Sequence, residues 1–145
     1  MKTLVIGYGN PARQDDGLGP ALAERIVRMN LPGVDVEIDY QLNVEHCDGL
    51  SAYEQVIFID AHMDGVVPFS FLEVAAGAPS GLSSHSVSPQ TIVYLAKQLF
   101  GAAPTFYVLA IAGYLFDQIE EKLSSRAVEN LNAAETFLTD YLTGQ

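Results

Sequence analysis

Three segments of this 145-residue chain hold the side chains best suited to chemistry. A glycine-rich loop after the first apolar run contains the adjacent pair Asp15 and Asp16. Asp60 closes a later apolar run, and His85 lies in an uncharged loop shortly before a helix start. Two carboxylates and one imidazole form an open ligand set for a divalent transition metal, with coordination positions left for water or substrate. Such a metal polarises a carbonyl group and activates water, so the set indicates hydrolysis.

The membership of this ligand set is open at two positions. Asp15 competes with Asp16 as an oxygen ligand, unless both aspartates serve only to stabilise a helix N-terminus electrostatically. His62 follows Asp60 at period two, so it would share the same side of the strand if the strand continues. Because the single cysteine, Cys47, has no cationic neighbour in sequence to lower its pKa, we do not expect it to be a nucleophile.

The glycine-rich loop also suggests a second class of function, nucleotide binding. Gly7, Gly9 and Ala12 imitate the dinucleotide fingerprint GxGxxG/A. In the true fingerprint the helix opens within the glycine run, so that its N-terminus meets a pyrophosphate. Here Pro11 delays the helix to about Gly17, and two aspartates stand where the phosphate would come. The sequence therefore disfavours a nucleotide site.

Strands and helices alternate along the chain and must position these residues. Apolar runs predict five strands, at 4–6, 34–38, 56–59, 69–74 and 106–111. Helical spacing and capping residues predict helices at 18–29, from Pro89 to a Gly101 cap, and at 127–141, with a short helix at 45–52. The strand at 69–74 is expected to run back antiparallel after a turn at Asp64-Gly65, and 75–87 is expected to be a loop.

This alternation predicts a single α/β domain over residues 1-145, with a mostly parallel sheet. Sheets of this kind bind their ligands in the crevice beyond the carboxyl ends of the strands. The loop after the first strand and Asp60 both fall at such ends. We therefore expect the candidate residues to meet there.

Composition limits the possible partners. The chain has 18 acidic and 7 basic residues, a formal net charge of −11, which argues against binding to nucleic acid or to an anionic membrane. No stretch approaches the roughly 18 apolar residues of a membrane span, and the first apolar run is too short for a signal peptide. A single cysteine cannot form an internal disulfide, which suits the reducing cytoplasm.

The order of the motifs resembles that of the maturation endopeptidases of nickel–iron hydrogenases. The resemblance rests on GYGNP at 7–11 with DDGLG at 15–19, on FIDA at 58–61, and on Ser84-His85 before a helix. It extends over nearly the whole chain, because length and element order also fit. It implies a three-layer α/β/α sandwich around a five-stranded, mostly parallel twisted sheet.

The resemblance also implies an activity. Members of this family remove the C-terminal extension of the hydrogenase large-subunit precursor once nickel has been inserted. Their metal ligands fall on Asp16, Asp60 and His85 of this chain, which would also be its catalytic residues. The precursor supplies the nickel, so the metal belongs to the substrate and is not a resident cofactor of the enzyme. Other divalent ions can take its place in crystals. The alternative is a non-catalytic metallochaperone on the same fold, which would bind nickel tightly by itself.

Overall fold

The computed structural model of the chain describes residues 2–75, 87–102 and 104–144. Its strands are β1 (Thr3–Tyr8), β2 (Val34–Asp39), β3 (Gln55–Met63), β4 (Phe69–Glu73) and β5 (Thr105–Gly113). Its α-helices are α1 (Leu18–Met29), α2 (Pro89–Phe100) and α3 (Ser125–Thr143). Three short 3-10 helices lie at Gln14–Gly17, Val44–Cys47 and Leu50–Ala52.

The five strands form one sheet in the order β2-β1-β3-β5-β4. All neighbours are parallel except β4, which pairs antiparallel with β5 at one edge. The predicted five-stranded, mostly parallel sheet is therefore confirmed. The returning strand β4 is antiparallel as predicted, but it does not pair with β3, from which it turns back. β5 occupies that side of β3 along all nine residues of the strand, so β4 takes the next position outward.

Helices cover both faces of the sheet, which confirms the three-layer arrangement. The first face packs on α2, with a core of Leu4, Ile6, Val56, Phe58, Phe106, Ile92, Val93 and Ala96. The second face packs on α1 and α3, with a core that includes Val5, Ile57, Ile59, Leu109, Ile111, Leu22, Ile26, Leu131 and Leu138. Because side chains alternate between the faces of a strand, Tyr8 of β1 and Asp60 of β3 both belong to the α2 face.

The helices begin and end where the sequence signals them. The Ser88 side chain accepts a hydrogen bond from the Thr91 backbone N–H at the start of α2, and Gly101 ends this helix in a left-handed conformation. Helix α1 begins only at Leu18, after the 3-10 helix, as the delayed start predicts. Among the helices of the described ranges, none is both long and apolar enough to cross a membrane.

Two predicted elements differ from the structure. The single helix predicted at 45–52 is two 3-10 helices, because Gly49 between them has a φ of +74° that breaks the helical path. Strand β3 runs on to Met63, three residues past Asp60, because β5 continues to pair with it there. The predicted loop at 75–87 falls mostly outside the described residues.

Candidate functional site

Asp60 lies level with Tyr8, the last residue of β1. The pairing of β1 with β3 stops at Gly7 and Ile59, while on the other side Asp60 still pairs with Ala110 of β5. The prediction that Asp60 ends its own strand is therefore wrong, and the neighbouring strand is the one that ends. The effect on the side chain is similar, because the end of β1 leaves Asp60 partly exposed at the crevice edge of the sheet.

The carboxylate of Asp60 receives a hydrogen bond on each oxygen. The Tyr8 hydroxyl donates to Oδ2 at 3.0 Å, and the Ala61 backbone N–H donates to Oδ1 at 2.8 Å. Burial raises the pKa of Asp60 to about 6; these two hydrogen bonds oppose the rise, and the charge of nearby Asp16 adds to it. Burial and the neighbouring Asp60 also raise the pKa of Tyr8, so its phenol stays a proton donor at neutral pH.

Asp16 lies near Asp60, in the loop that follows β1. The 3-10 helix at Gln14–Gly17 carries it, and the Asn10 backbone N–H donates to its Oδ2 at 2.7 Å. Asp16, Asp60 and Tyr8 all line one open depression of about 340 Å³ at the carboxyl end of the sheet. The structure thus brings together two of the three residues predicted to form the site.

Two glycines allow the loop and helix α1 to pack closely against the strand ends. Gly9 has a φ of +142°, and a Cβ atom there would collide with the carbonyl oxygen of Asp16. A Cβ atom on Gly19 would collide with the carbonyl oxygens of both Tyr8 and Ile59. Glycine at both positions therefore permits the backbone approach that places Asp16 near the end of β1.

Asp15 points away from this depression and anchors a distant loop. Its side chain is fully buried and accepts four hydrogen bonds of 2.7–3.0 Å, from the backbone N–H groups of Tyr114, Leu115 and Ser124 and from the Ser124 hydroxyl. Burial alone would raise the pKa of Asp15, but these hydrogen bonds outweigh it and hold the pKa below its usual value. Of the adjacent pair, Asp16 is the residue that lines the candidate site.

His62 shares the α2 face of β3 with Asp60, because the strand continues. Both residues line a second open depression, of about 560 Å³, which adjoins the first at Tyr8 and Asp60. Its remaining lining is mostly apolar and includes Val66, Leu72, Val74, Val108 and Ala110. We call the two depressions together the trough; Asp60 lines both parts of it.

His85, the third predicted ligand, lies outside the described residues. The described chain resumes at Val87, which lines the depression that holds Asp16 and Asp60. Within residues 2–75, 87–102 and 104–144, no group of three or more His, Cys, Asp or Glu side chains could hold a metal ion. The three-residue ligand set therefore stays a prediction.

The contacts and burial of His46 and Cys47 indicate structural roles for both residues. The Nδ1 atom of His46 accepts a hydrogen bond from the Asn43 backbone N–H at 2.9 Å, which caps the 3-10 helix at Val44–Cys47. The His46 side chain is only 8% exposed. Cys47 is buried, and burial raises the pKa of its thiol, which does not favour a nucleophile.

Tyr8 is the site residue that sequence reasoning missed. Tyr8 belongs to the GYGNP motif at 7–11, but the motif did not by itself indicate a role for the tyrosine. The available signal was the alternation of β1, which puts Tyr8 on the same face as Leu4 and Ile6. Together with the apolar run that stops at Ile59, this alternation places Tyr8 beside Asp60 if the two strands are neighbours.

Several solved structures have this fold. The [NiFe] hydrogenase maturation protease HycI from Thermococcus kodakarensis aligns with a TM-score of 0.76 at 18% identity, covering 98% of this chain and 92% of that one. The hydrogenase 2 maturation peptidase from a Thaumarchaeota archaeon aligns with a TM-score of 0.70 at 22% identity, covering 98% of each chain. The hydrogenase maturating endopeptidase HybD from E. coli aligns with a TM-score of 0.71 at 15% identity, covering 99% and 93%.

These alignments define the class of fold. The chain has the α/β/α fold of the [NiFe] hydrogenase maturation proteases over nearly its whole length. The predicted resemblance to that family is thereby confirmed at the level of the fold. No protein-family model matches the sequence, and no curated protein matches it.

Proposed function

We propose that this chain is an endopeptidase that removes the C-terminal extension of a nickel–iron hydrogenase large-subunit precursor after nickel insertion. One observation carries the proposal: on the fold of the maturation proteases, Asp16 and Asp60 line a single depression at the carboxyl end of the sheet. These are the positions at which the sequence resemblance expects metal ligands. We place the activity in the cytoplasm, which the single cysteine favours.

In this proposal nickel arrives as part of the substrate. The carboxylate oxygens of Asp16 and Asp60, with the imidazole of His85, form a donor set suited to a divalent transition metal. When bound, the nickel of the precursor supplies Lewis-acid polarisation near the scissile peptide bond. A precursor without nickel would lack this anchor, so the requirement for nickel would prevent premature cutting.

The charges around the depression favour a cationic centre. Asp16 and Asp60 both contribute negative charge to its lining, and Arg13 is the one cation among the lining residues that the structure describes. The Arg13 guanidinium lies 3.2 Å from the carbonyl oxygen of Phe116, to which it donates a hydrogen bond. No lysine or arginine occurs between Met29 and Ala96. An approaching metal therefore meets little positive charge.

The proposal is tested by incubating nickel-loaded precursor with the wild type and with D16A, D60A and H85A. We expect each variant to lower the cleavage rate by about 100-fold or more, because each removes a ligand of the reacting centre. D35A removes a carboxylate from β2, outside both depressions, and serves as the matched control with an unchanged rate. Full cutting by a site variant would remove that residue from the mechanism.

The same samples address the metallochaperone alternative. A protease that recognises nickel on its substrate should bind free nickel weakly when tested alone by titration calorimetry. Tight nickel binding by the isolated wild type, together with no cutting of the loaded precursor, would favour the metallochaperone and overturn the protease.

A further inference from the structure

Tyr8 connects the hydrophobic core to the candidate site. Its ring packs against the buried cluster on the α2 face, which includes Leu4, Ile6 and Leu42. Its backbone is held at the end of β1 beside Asp39 of β2. A ring held in this way has little freedom to change rotamer, so the fold sets where the hydroxyl lies. The hydroxyl lies 3.0 Å from Oδ2 of Asp60.

The two hydrogen bonds to Asp60 together define the plane of its carboxylate. Tyr8 donates to Oδ2 and the Ala61 backbone N–H donates to Oδ1, so each oxygen has its own donor. These are the donors to this carboxylate within the described ranges. The last torsion of an aspartate side chain has only broad intrinsic preferences, so with one donor the carboxylate is free to turn. Loss of the Tyr8 hydroxyl would release this constraint while the ring keeps the site filled.

We propose that Tyr8 is a positioning residue, which holds the Asp60 carboxylate in the orientation in which it meets the reacting centre of the substrate. This inference rests on the proposed endopeptidase function. A small misplacement of a reacting group slows the chemical step strongly while the rest of the substrate still binds. Loss of the Tyr8 hydroxyl should therefore lower kcat and leave KM nearly unchanged.

The chain contains a matched control for this hydrogen bond. The Tyr53 hydroxyl donates to Oδ2 of Asp35 at 2.7 Å, which is the same type of phenol-to-carboxylate pair. Neither residue lines the trough at the carboxyl end of the sheet. Y8F and Y53F thus each remove one phenol-to-carboxylate bond, a partly buried one at the candidate site and an exposed one away from it.

The first measurement is steady-state cleavage of nickel-loaded precursor. We expect Y8F to lower kcat by about 10–100-fold, with KM within about twofold of the wild type. Y53F should keep both constants. Circular dichroism and thermal melts of both variants check that they fold. A wild-type kcat for Y8F, or an equal loss in Y53F, would overturn the positioning role.

The second measurement does not depend on catalysis. A crystal structure of Y8F, compared with one of the wild type, should show the Asp60 carboxylate turned about its last torsion or split between two orientations. A carboxylate in the wild-type orientation would overturn the proposal. If the wild type cuts no precursor, the proposed function fails, and this structural comparison alone decides the role of Tyr8.

Discussion

Asp15 and Asp60 are two carboxyl groups at the same end of the sheet whose surroundings differ in kind. Asp15 is fully buried and accepts four hydrogen bonds from the connection between β5 and α3. Asp60 is partly buried and accepts two. The pKa of Asp15 is held below its usual value, whereas burial raises that of Asp60 to about 6.

The difference separates a carboxylate that holds the fold together from one that is available to a ligand. Four donors compensate Asp15 for the loss of water, so its charge ties Tyr114 and Ser124 to the loop after β1. Two donors leave Asp60 with unused acceptor capacity and an uncompensated cost of burial. A cationic partner would supply the missing compensation. Perturbed carboxyl groups of this kind are frequent at functional sites.

The largest expected effect comes from removing the anchor. D15A leaves the backbone N–H groups of Tyr114, Leu115 and Ser124 without their acceptor, so we expect a loss of about 3–5 kcal/mol in the free energy of unfolding. Chemical denaturation measures it. D48A, which changes an exposed aspartate, is the control and should change stability by less than about 0.5 kcal/mol. A loss below about 1 kcal/mol in D15A would contradict the anchoring role.

The pH dependence of stability should distinguish Asp60 from an anchor. Its folded-state pKa of about 6 lies above the ordinary aspartate value of 3.8, so the folded protein binds this proton more tightly than the unfolded chain. Stability contributed by the protonated form is therefore present at low pH and is lost as pH rises through about 6. Relative to that of D60N, the free energy of unfolding of the wild type should fall by on the order of 2–3 kcal/mol between pH 4 and pH 7.

Denaturation of both proteins at several pH values provides this comparison. D15N is the opposite control, because the lowered pKa of Asp15 adds stability that is lost as pH falls. A difference between wild type and D60N that does not change with pH would show that Asp60 has an ordinary pKa.

G9A tests whether the backbone conformation at Gly9 sets the position of Asp16, independently of the anchor at Asp15. The added Cβ would collide with the carbonyl oxygen of Asp16, and the φ of +142° at this position is strained for alanine. We therefore expect a destabilisation of about 1–3 kcal/mol. The cleavage rate should fall by more than the smaller fraction of folded protein accounts for, because Asp16 moves relative to Asp60. G49A, at an open position with a φ of +74°, is the control for backbone strain without a collision. Equal cleavage by both variants would argue against a positional role for Gly9.

The smallest effect is expected at His62. Its side chain is exposed on β3 and lines the larger depression beside Asp60. We expect H62A to change the cleavage rate by less than about threefold and the stability by less than about 0.5 kcal/mol. A loss comparable to that of D60A would extend the proposed reacting centre along β3 and add His62 to the proposed ligands.

The sequence by itself determined the elements and most of the architecture. Apolar runs, helical spacing and the caps at Ser88 and Gly101 are local signals, and local physics is enough to place strands and helices. The order of the motifs also indicated Asp16 and Asp60 as a pair. Apolar periodicity missed the outer end of β3, because His62 and Met63 are exposed there and hydrogen bonds to β5 maintain the strand.

Only the tertiary structure showed how each carboxylate is held. Asp15 and Asp16 are adjacent and chemically identical, so in the sequence only the resemblance to a known motif separates them. Asp15 meets donors that lie about 100 positions later in the chain, at Tyr114 and Ser124, whereas Asp16 is held by Asn10 at the mouth of the depression. Tyr8 and Asp60 meet because of the register between β1 and β3. The role of a carboxyl group follows from its donors and its burial, and both are properties of the folded chain.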